Sequence, residues 1–226
     1  MNLLLLGHGK TGALVGEVAR ERGHQVRVMT SAQNQGGAGL TAEALRGVEV
    51  AIDFTRPDAV LANIEACARA GVNMAIGTTG WYEHIPRVRK LVETSRIGLV
   101  YASNFSVGVN LFFDIAQVAA RAAQHGYSAR IVERHHVHKK DAPSGTAVTL
   151  RNILAEHGCP ASAIDSVREG EVVGEHAILL ESANDTIRLE HSAKSRRGFA
   201  EGAVIAAEWI AGKQGFYEFR DTLRQG

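Results

Sequence analysis

The sequence predicts an α/β fold in which a doubly wound parallel sheet is joined to a smaller α+β domain. Over about the first hundred residues, short apolar runs alternate with segments of helical periodicity, which is typical of β-α-β units. After Asn104 this alternation stops, and two strand-like segments follow one another without a helix between them. We therefore expect a second domain that begins close to Asn104.

The elements of the first domain can be placed from apolar periodicity and from their boundary residues. Strands are expected over residues 3–6, 25–30, 48–54, 73–76 and 97–102. Helices are expected over residues 11–22, 57–70 and 81–95. Pro57 suits the first turn of its helix, with Thr55 placed to cap it, and Gly23 and Gly71 suit helix ends. The apolar first strand lacks the basic segment of a signal peptide.

The second half of the chain mixes both kinds of element. Helices are expected over residues 111–124, 144–156 and 200–211, and strands over residues 129–135, 171–181 and 186–192. In the last helix, Ala203, Val204, Ala207 and Ile210 share one apolar face. We therefore expect this helix to return and pack on the first domain.

The composition is that of an ordinary globular protein, and it argues against several classes of function. Of 226 residues, 45% are hydrophobic and 22% are charged, and the formal net charge of +1 indicates no nucleic-acid surface. No apolar run approaches the roughly 20 residues of a membrane span. Cys67 and Cys159 have no metal-binding or redox spacing, so we expect a cytoplasmic protein.

A glycine-rich turn follows the first strand and opens the first helix, with the sequence Gly7-His8-Gly9-Lys10-Thr11-Gly12. In that context the first glycine permits a tight turn, the second lets a pyrophosphate approach the backbone, and the third allows close packing of helix and strand. The N–H groups at the helix start would then hold the phosphates. A Rossmann-type dinucleotide site is the favoured interpretation, and a glycine-rich turn without a ligand is the alternative.

The segment after the second strand leaves the choice between NADH and NADPH open. A carboxylate that binds the adenosine ribose is usual there, but the chain has Met29-Thr30-Ser31-Ala32. The hydroxyl of Thr30 can bond to either cofactor. No arginine follows this strand directly, so Lys10 is the nearer candidate for contacting a 2′-phosphate. We expect both cofactors to work, with NADPH equal or modestly favoured.

Residues 133–147 hold most of the side chains that can do chemistry. Three histidines and two lysines stand at a predicted strand end, before a helix start made of Ser144, Gly145 and Thr146. That helix start offers N–H groups and hydroxyls to a carboxylate, and the neighbouring imidazoles and ammonium groups can hold a second carboxylate and supply a proton. The segment therefore predicts a site that binds anions and donates protons.

Two other interpretations of this segment stay open at this point. The histidines could bind a metal ion, but no cysteine or carboxylate stands nearby at a suitable spacing, and the neighbouring cations disfavour a divalent ion. We therefore expect no metal. A solvated basic loop followed by a capped helix is the second alternative.

Residues 133–147 resemble the signature of the dihydrodipicolinate reductase family, E-x-H-H-x-x-K-x-D-x-P-S-G-T-A, and match it at every fixed position. Other marks of the family occur in order along the chain. They are Asp53-Phe54-Thr55-Arg56-Pro57, Gly77-Thr78-Thr79-Gly80, residues 104–110, Gly174-Glu175-His176, and the closing His191, Arg196, Phe199 and Gly202. The marks run from Gly7 to about Lys213, so the resemblance covers nearly the whole chain.

The resemblance implies a dinucleotide-binding domain built from residues 1–105 and 198–226. It implies a substrate-binding and tetramerisation domain over residues 106–197, with an open mixed sheet. The implied reaction is the NADPH- or NADH-dependent reduction of 4-hydroxy-tetrahydrodipicolinate to tetrahydrodipicolinate, in lysine and diaminopimelate biosynthesis. The expected partners are thus a small dicarboxylate and further copies of the chain in a homotetramer, with neither nucleic acid nor membrane.

The resemblance also implies roles for individual residues. His135 is expected to donate the proton, and Lys139 to act as a second acid that also holds a carboxylate. The substrate-binding residues would be His136, Lys139, Ser144, Gly145 and Thr146. The cofactor-binding residues would be Gly7, His8, Gly9, Lys10, Thr11, Gly12, Thr30, Phe54, Gly77, Thr78, Thr79, Ala102, Ser103, Asn104 and Phe105.

The chain departs from the family in its length and in its glycine-rich turn. It is shorter than is typical near residues 32–41 and 160–168, and Thr11 stands where a methionine is usual. A related dehydrogenase of a small substrate, such as an amino-acid dehydrogenase, is the alternative enzyme. A protein that binds NAD(P) without turnover is the alternative outside enzymes, but it would have no need of the proton donors His135 and Lys139.

Overall fold

The computed structural model of the chain describes residues 1–224. In chain order, the strands are β1 (Asn2–Leu6), β2 (Gln25–Met29), β3 (Val50–Asp53), β4 (Asn73–Ile76), β5 (Gly98–Tyr101), β6 (Ser128–His135), β7 (Ala161–Arg168), β8 (Glu175–Glu181), β9 (Thr186–Ser192) and β10 (Gly215–Glu218). The α-helices are α1 (Lys10–Glu21), α2 (Pro57–Ala70), α3 (Ile85–Ser95), α4 (Val107–Ala119), α5 (Gly145–Glu156), α6 (Arg197–Ile210) and α7 (Phe219–Leu223). Unit 1 consists of Met1–Ser106 and the segment that begins at Arg197, and unit 2 is Val107–Arg196.

The described residues of unit 1 form a six-stranded parallel sheet in the order β10-β5-β4-β3-β1-β2. Side chains of β1 alternate between its two faces, so Leu4 and Leu6 pack with α2 and α3, whereas Leu5 lies against Gly16 of α1. Strands covered on both faces are buried almost throughout, as β1, β3 and β4 are. The predicted doubly wound parallel sheet is thus confirmed.

The predicted return of the last helix is also correct. Helix α6 packs against α1 and against β3, β4 and β5 of unit 1. Two further elements follow it, β10 at the edge of the sheet and the short helix α7, and sequence reasoning predicted neither. Both are too short to show a clear apolar period.

Three elements begin four residues away from the predicted start. The predicted helix over residues 81–95 begins with a 3₁₀ turn, Tyr82–His84, before α3. Helix α4 begins four residues earlier than predicted, at Val107 instead of Leu111, and continues as the 3₁₀ segment Ala120–His125. The predicted strand over residues 171–181 begins only at Glu175, where pairing with β6 starts.

The described residues of unit 2 form a four-stranded mixed sheet in the order β7-β6-β8-β9. Strand β6 pairs parallel to β7 and antiparallel to β8, and β8 pairs antiparallel to β9. Helices α4 and α5 pack on the face that carries Ile131 and Ile178. The opposite face carries Arg130, Arg134 and Arg188, which form ion pairs with carboxylates.

Strand β7 was not predicted, because its sequence has few apolar residues and lies at the sheet edge with much of it exposed. The strand nevertheless matters for the site, because the sheet register places its last residue, Arg168, beside His135 of β6. None of the helices in residues 1–224 combines the length and apolar character that a membrane crossing requires.

Candidate active site

The glycine-rich turn has the geometry that its three glycines predict. Gly7 has a φ of 90°, and a Cβ there would lie 2.3 Å from the carbonyl oxygen of Phe54. A Cβ on Gly12 would lie 2.7 Å from the carbonyl oxygen of Gly7, whereas one on Gly9 would meet nothing within 4 Å. The first and third glycines are therefore required by packing, and the open side of Gly9 leaves room for a ligand.

A cavity of about 290 Å³ lies against this turn. Its lining consists of Gly9, Lys10, Thr11, Gly12, Phe54, Thr55, Pro57, Gly77, Thr78 and Thr79. Gly9 is the N-cap residue of α1, and no described side chain caps this helix, so its first N–H groups can bind an anion. The residues present therefore fit the phosphates of a dinucleotide. His8, also predicted, is exposed beside the turn but does not line this cavity.

The buried carboxylate of Asp53, at the end of β3, fixes the walls of this cavity. It accepts hydrogen bonds from the backbone N–H and hydroxyl of Thr55, at 2.9 and 2.7 Å, and from the hydroxyl of Thr78 at 2.7 Å. Asn63 donates to its second oxygen at 2.8 Å. These donors satisfy the buried charge and hold the two lining segments together. Because the hydroxyl of Thr55 is used here, its predicted role as helix cap is wrong, and Arg56 occupies the N-cap position of α2.

A second cavity, of about 340 Å³, lies at the carboxyl end of β2. Thr30 lines it as predicted, and its hydroxyl donates to Gln33 Oε1 at 3.0 Å. Arg56 also lines this cavity and pairs with Asp58 at 2.8 Å. Sequence reasoning looked for an arginine only directly after β2 and missed Arg56, which the fold brings there from the segment after β3. The adjacency of β1 to both β2 and β3 is the signal that would have found it.

The predicted cofactor-binding segment over residues 102–105 follows β5 and does not line either cavity. Ala102 and Phe105 are buried, and Ser103 is exposed. The ring of Phe105 packs against Phe219 and Phe54, with centroid distances of 5.0 and 6.2 Å. A cofactor contact by Phe105 would therefore use its backbone, and the role of these residues, Asn104 included, stays a prediction.

In unit 2, the end of β6 presents Glu133 and His135 on the same face of the sheet, because they lie two residues apart on a strand. The exposed fraction of Glu133 is 0% and that of His135 is 7%. One carboxylate oxygen of Glu133 is hydrogen-bonded to Nδ1 of His135, and the other accepts from Arg168 Nη2 at 2.8 Å. Neither Glu133 nor Arg168 was predicted as a site residue.

Burial and charge set the protonation of this group. Burial lowers the pKa of His135 below its usual value, although the carboxylate of Glu133 opposes this shift. Burial alone would raise the pKa of Glu133, but hydrogen bonds from Arg168 and Ser166 and the charge of His135 outweigh it, so the pKa is lowered. At pH 7, His135 of the free protein is therefore mainly neutral beside an ionised Glu133.

Lys139 and His136 lie in the segment that follows β6. Lys139 Nζ forms an ion pair with Asp141 Oδ1 at 2.8 Å. Arg196 Nη2 lies 3.2 Å from His136 Nε2, and the buried Nδ1 of His136 has no partner among residues 1–224. An unpartnered buried N–H suits an incoming carboxylate. Arg196, a family mark without a predicted role, thus joins the candidate anion-binding residues.

The start of α5 is built as predicted, but the hydroxyl of Ser144 is already engaged. Ser144 is the N-cap residue, and its Oγ accepts from the N–H of Ala147 at 3.3 Å. The same oxygen lies 3.1 Å from Nε2 of the buried His176. Ser144 therefore has at most its hydroxyl hydrogen to offer a ligand. Gly145 and Thr146 follow in the first turn of the helix.

His176 was not predicted as a site residue, although it stands in one of the family marks. Burial, followed by the charge of His135, lowers the pKa of His176 to about 3. Its ring lies edge-on to that of His135, with the two centroids 5.1 Å apart. A neutral His176 therefore packs against His135 on the β8 side without adding charge.

Glu133, His135 and His176 each place a possible metal-ligand atom within 4.8 Å of the other two. The interpretation that no carboxylate stands near the histidines is therefore wrong, because strand alternation brings Glu133 beside His135. Both Glu133 oxygens are already engaged, and the cations Arg168 and Lys139 disfavour a divalent ion. That the protein holds no metal stays a prediction.

Comparison with known proteins identifies the family. The family model described as "Dihydrodipicolinate reductase, N-terminus" matches residues 1–105, and "Dihydrodipicolinate reductase, C-terminus" matches residues 108–223. The 4-hydroxy-tetrahydrodipicolinate reductase of Christiangramia forsetii is 36% identical over 239 residues, covering 99% of this chain and 98% of its own. That of Thiobacillus denitrificans is 40% identical, covering 80% and 75%.

A solved structure, a dipicolinate-bound dihydrodipicolinate reductase from Paenisporosarcina sp. TG-14, matches with a TM-score of 0.79 over 98% of each chain. At 22% identity this likeness shows the fold alone. The diaminopimelate dehydrogenase of C. glutamicum has a TM-score of 0.53 at 10% identity, so it shares the fold more distantly.

The parallel sheet, its glycine-rich turn and these matches define an oxidoreductase that uses a nicotinamide dinucleotide. The chain belongs to the dihydrodipicolinate reductase family.

Proposed function

We propose that the protein catalyses the NADPH- or NADH-dependent reduction of (2S,4S)-4-hydroxy-2,3,4,5-tetrahydrodipicolinate to tetrahydrodipicolinate, with loss of water, in lysine and diaminopimelate biosynthesis. The main support within the chain is the buried His135 beside Glu133, close in sequence to Lys139 and the start of α5. The names of relatives that cover 99% and 80% of the chain give the second support.

The two halves of the chemistry are assigned to different parts of the chain. Residues 1–105 and 198–226 would bind the dinucleotide, mainly through the glycine-rich turn and the cavity walls held by Asp53. Residues 106–197 would bind the dicarboxylate. The bound dinucleotide supplies the hydride, and the protein's own residues bind the substrate and move the proton.

Loss of water from the substrate gives a conjugated imine, and hydride addition to it leaves an enamine that must gain a proton. His135 would donate that proton from Nε2, and Lys139 would act as second acid while it holds a carboxylate. Because His135 is mainly neutral in the free protein, it must take up a proton first. The two negative charges of the substrate favour that uptake, since nearby anions raise the pKa of an imidazole.

The substrate carboxylates would be held by two groups of donors. Lys139, the unpartnered Nδ1–H of His136 and the neighbouring Arg196 form one group. The backbone N–H groups at the start of α5 and the hydroxyl of Thr146 form the other. Ser144 would contribute mainly by shaping this helix start, because its oxygen is already engaged.

For the cofactor, we propose that NADPH is equal to NADH or modestly favoured. The segment after β2 carries no carboxylate that would repel a 2′-phosphate, and Asp58, which also lines this cavity, is paired with Arg56. Arg56 in the same cavity supplies a positive charge in place of Lys10, which lines the other cavity. Its pairing with Asp58 partly neutralises that charge, which favours a modest preference over a strong one.

We also propose a homotetramer and a cytoplasmic location. A groove of about 750 Å³ on unit 2 is lined mainly by apolar side chains of α4 and β9, among them Leu111, Ile115 and Val118, each at least half exposed. Such a surface favours association. The two cysteines are buried and unpaired, which suits a reducing compartment.

The deciding experiment follows NADPH oxidation with substrate made in situ from pyruvate and aspartate semialdehyde, and identifies the product by mass spectrometry. We expect oxidation that requires both precursors and yields tetrahydrodipicolinate. Oxidation of an amino acid with NADP⁺, without turnover of the in-situ substrate, would point to an amino-acid dehydrogenase. Cofactor binding without any turnover would point to a non-enzymatic protein.

A further inference from the structure

We infer that Glu133 is a positioning residue for His135, and that its carboxylate, held by Arg168, orients the imidazole and stabilises the imidazolium that donates the proton. This inference rests on the proposed function, since it takes His135 as the proton donor. It assigns a specific role to the buried Glu133 and the partly buried Arg168, which the activity alone does not explain.

The carboxylate of Glu133 is held at both of its oxygens. One oxygen is bonded to Nδ1 of His135, and the other accepts from Arg168 Nη2 at 2.8 Å. Each oxygen thus has a partner of fixed direction, and Ser166 adds a further hydrogen bond to the carboxylate. The carboxylate cannot rotate without breaking these contacts. A buried carboxylate held in this way fixes the ring plane of its histidine partner and its tautomer.

The imidazole of His135 presents its other nitrogen, Nε2, at the opposite edge. With Nδ1 facing Glu133, Nε2 has no hydrogen-bond partner within residues 1–224. A Cβ on Gly174 would lie 3.1 Å from Nε2 and 3.3 Å from Cδ2, so the glycine keeps this edge uncrowded. The nitrogen that must reach the substrate is therefore the one left without a partner.

Arg168 also links Glu133 to the segment of the second proposed acid, Lys139. Arg168 Nη2 also donates to the backbone oxygen of Asp141 at 2.6 Å, and the side chain of Asp141 pairs with Lys139. The same guanidinium thus holds Glu133 and the segment that carries Lys139. Arg168 orients both proposed acids from the end of β7, the strand whose Ser166 also hydrogen-bonds Glu133.

The charge of Glu133 matters because burial opposes protonation of His135. Burial lowers the pKa of His135, the carboxylate of Glu133 raises it, and the cations of Lys139 and Arg168 lower it. The titratable groups facing His135 are Glu133 from β6, Arg168 from β7, His176 from β8, and Lys139 with Asp141 from the following segment. Without Glu133, every remaining cation nearby would disfavour the imidazolium.

The test compares Glu133→Gln with wild type by two independent readouts. The first is the titration of His135 in the free protein, followed by NMR of histidine-labelled samples and assigned from the signal missing in His135→Gln. We expect the titration midpoint to fall in Glu133→Gln and to rise in Arg168→Gln, which removes a positive charge. A merely structural defect would not shift the titration midpoint of His135 in opposite directions in the two variants. Unchanged midpoints would overturn the inference.

The second readout is kinetic. Glu133→Gln should lower kcat about 10- to 1,000-fold with little change in KM, with partial rescue by Glu133→Asp. In a His135→Gln background, the same substitution should have no further effect on kcat, because Glu133 acts through His135. An undiminished effect in that background would contradict a positioning role.

Asp165→Asn is the matched control, because Asp165 pairs with Arg130 across the same two strands on the opposite face of the sheet. It should change neither readout. If Glu133→Gln does not fold, the titration midpoint in Arg168→Gln and the kcat of Glu133→Asp still confirm or contradict the inference. The NMR titration needs no turnover, so it tests the coupling between Glu133 and His135 even in an inactive protein. A wild-type protein that is inactive on the proposed substrate would refute the proposed function alone.

Discussion

The ammonium nitrogen of Lys139 lies 2.8 Å from a carboxylate oxygen of Asp141. This pair forms in the segment directly after the proposed proton donor, and Arg168 holds the backbone of Asp141 from the neighbouring strand. The ion pair holds the ammonium group of Lys139 close to the site, so that a substrate carboxylate can replace or share its partner.

Lys139→Ala should therefore damage both binding and turnover. We expect KM for the dicarboxylate to rise and kcat to fall, each by about 10- to 100-fold, because the ammonium is proposed to bind and to donate. Steady-state kinetics measures both values. Lys140→Ala is the matched control, since Lys140 is exposed and adjacent, and an equal effect there would show that only local charge matters.

The start of α5 gives a second prediction that separates binding from capping. Thr146→Val should weaken binding of a pyridine-2,6-dicarboxylate inhibitor by about 1–3 kcal/mol. Ser144→Ala should also weaken it and, because it removes a helix cap, should lower the free energy of unfolding by about 1 kcal/mol. Calorimetric titration and urea unfolding give the two quantities. Thr149→Val on the same helix is the control, and unaltered inhibitor binding in both site variants would place the carboxylate elsewhere.

The cofactor preference gives a third prediction. Wild type should use both cofactors, with kcat/KM for NADPH equal to or up to about tenfold above that for NADH. Arg56→Gln should reduce the value for NADPH and spare NADH, whereas Thr30→Asp should shift preference toward NADH. Arg87→Gln, which breaks a comparable surface pair with Glu65, is the control. A wild-type preference for NADH above about a hundredfold would mean that an acidic group reaches the ribose.

A fourth prediction concerns assembly. Sedimentation at micromolar concentration should give the mass of a tetramer, and Ile115→Glu in the apolar groove should shift it toward smaller species. Val137→Glu is the control, because Val137 is an exposed apolar residue that does not line the groove. A wild-type monomer under these conditions would refute the tetramer.

The sequence could predict most of unit 1, because parallel strands buried on both faces leave continuous apolar runs and the glycines mark the turns. It could not predict the short or polar edge strands β7 and β10, whose residues are partly exposed and carry little periodicity. The face of the second sheet opposite α4 and α5 carries ion pairs of Arg130, Arg134 and Arg188 with carboxylates. The exposed apolar surface lies along α4 and β9 instead.

Some residues of the candidate site could likewise be predicted from the sequence, and others could not. Residues inside the contiguous signature, such as His135 and Lys139, could be found from the sequence. Arg168, His176 and Arg56 reach their sites through strand pairing or from a neighbouring strand end, at sequence distances that local reasoning does not cover. Glu133 stood in the signature, but its contact with His135 depends on both side chains sharing one buried face of β6.

The central claim is that His135 donates the proton to the reduced substrate. As a general acid it must be protonated, so kcat/KM of wild type should fall as the pH rises through the pKa of His135. His138→Gln is the matched control, since that histidine is highly exposed in the following segment and is given no role.

The most direct measurement is kcat of His135→Gln in the NADPH oxidation assay with substrate made in situ. If His135 has this role, kcat should lie about 100- to 10,000-fold below wild type, with a much smaller change in KM and with the cofactor still bound. A His135→Gln protein that turns over at the wild-type rate would contradict it.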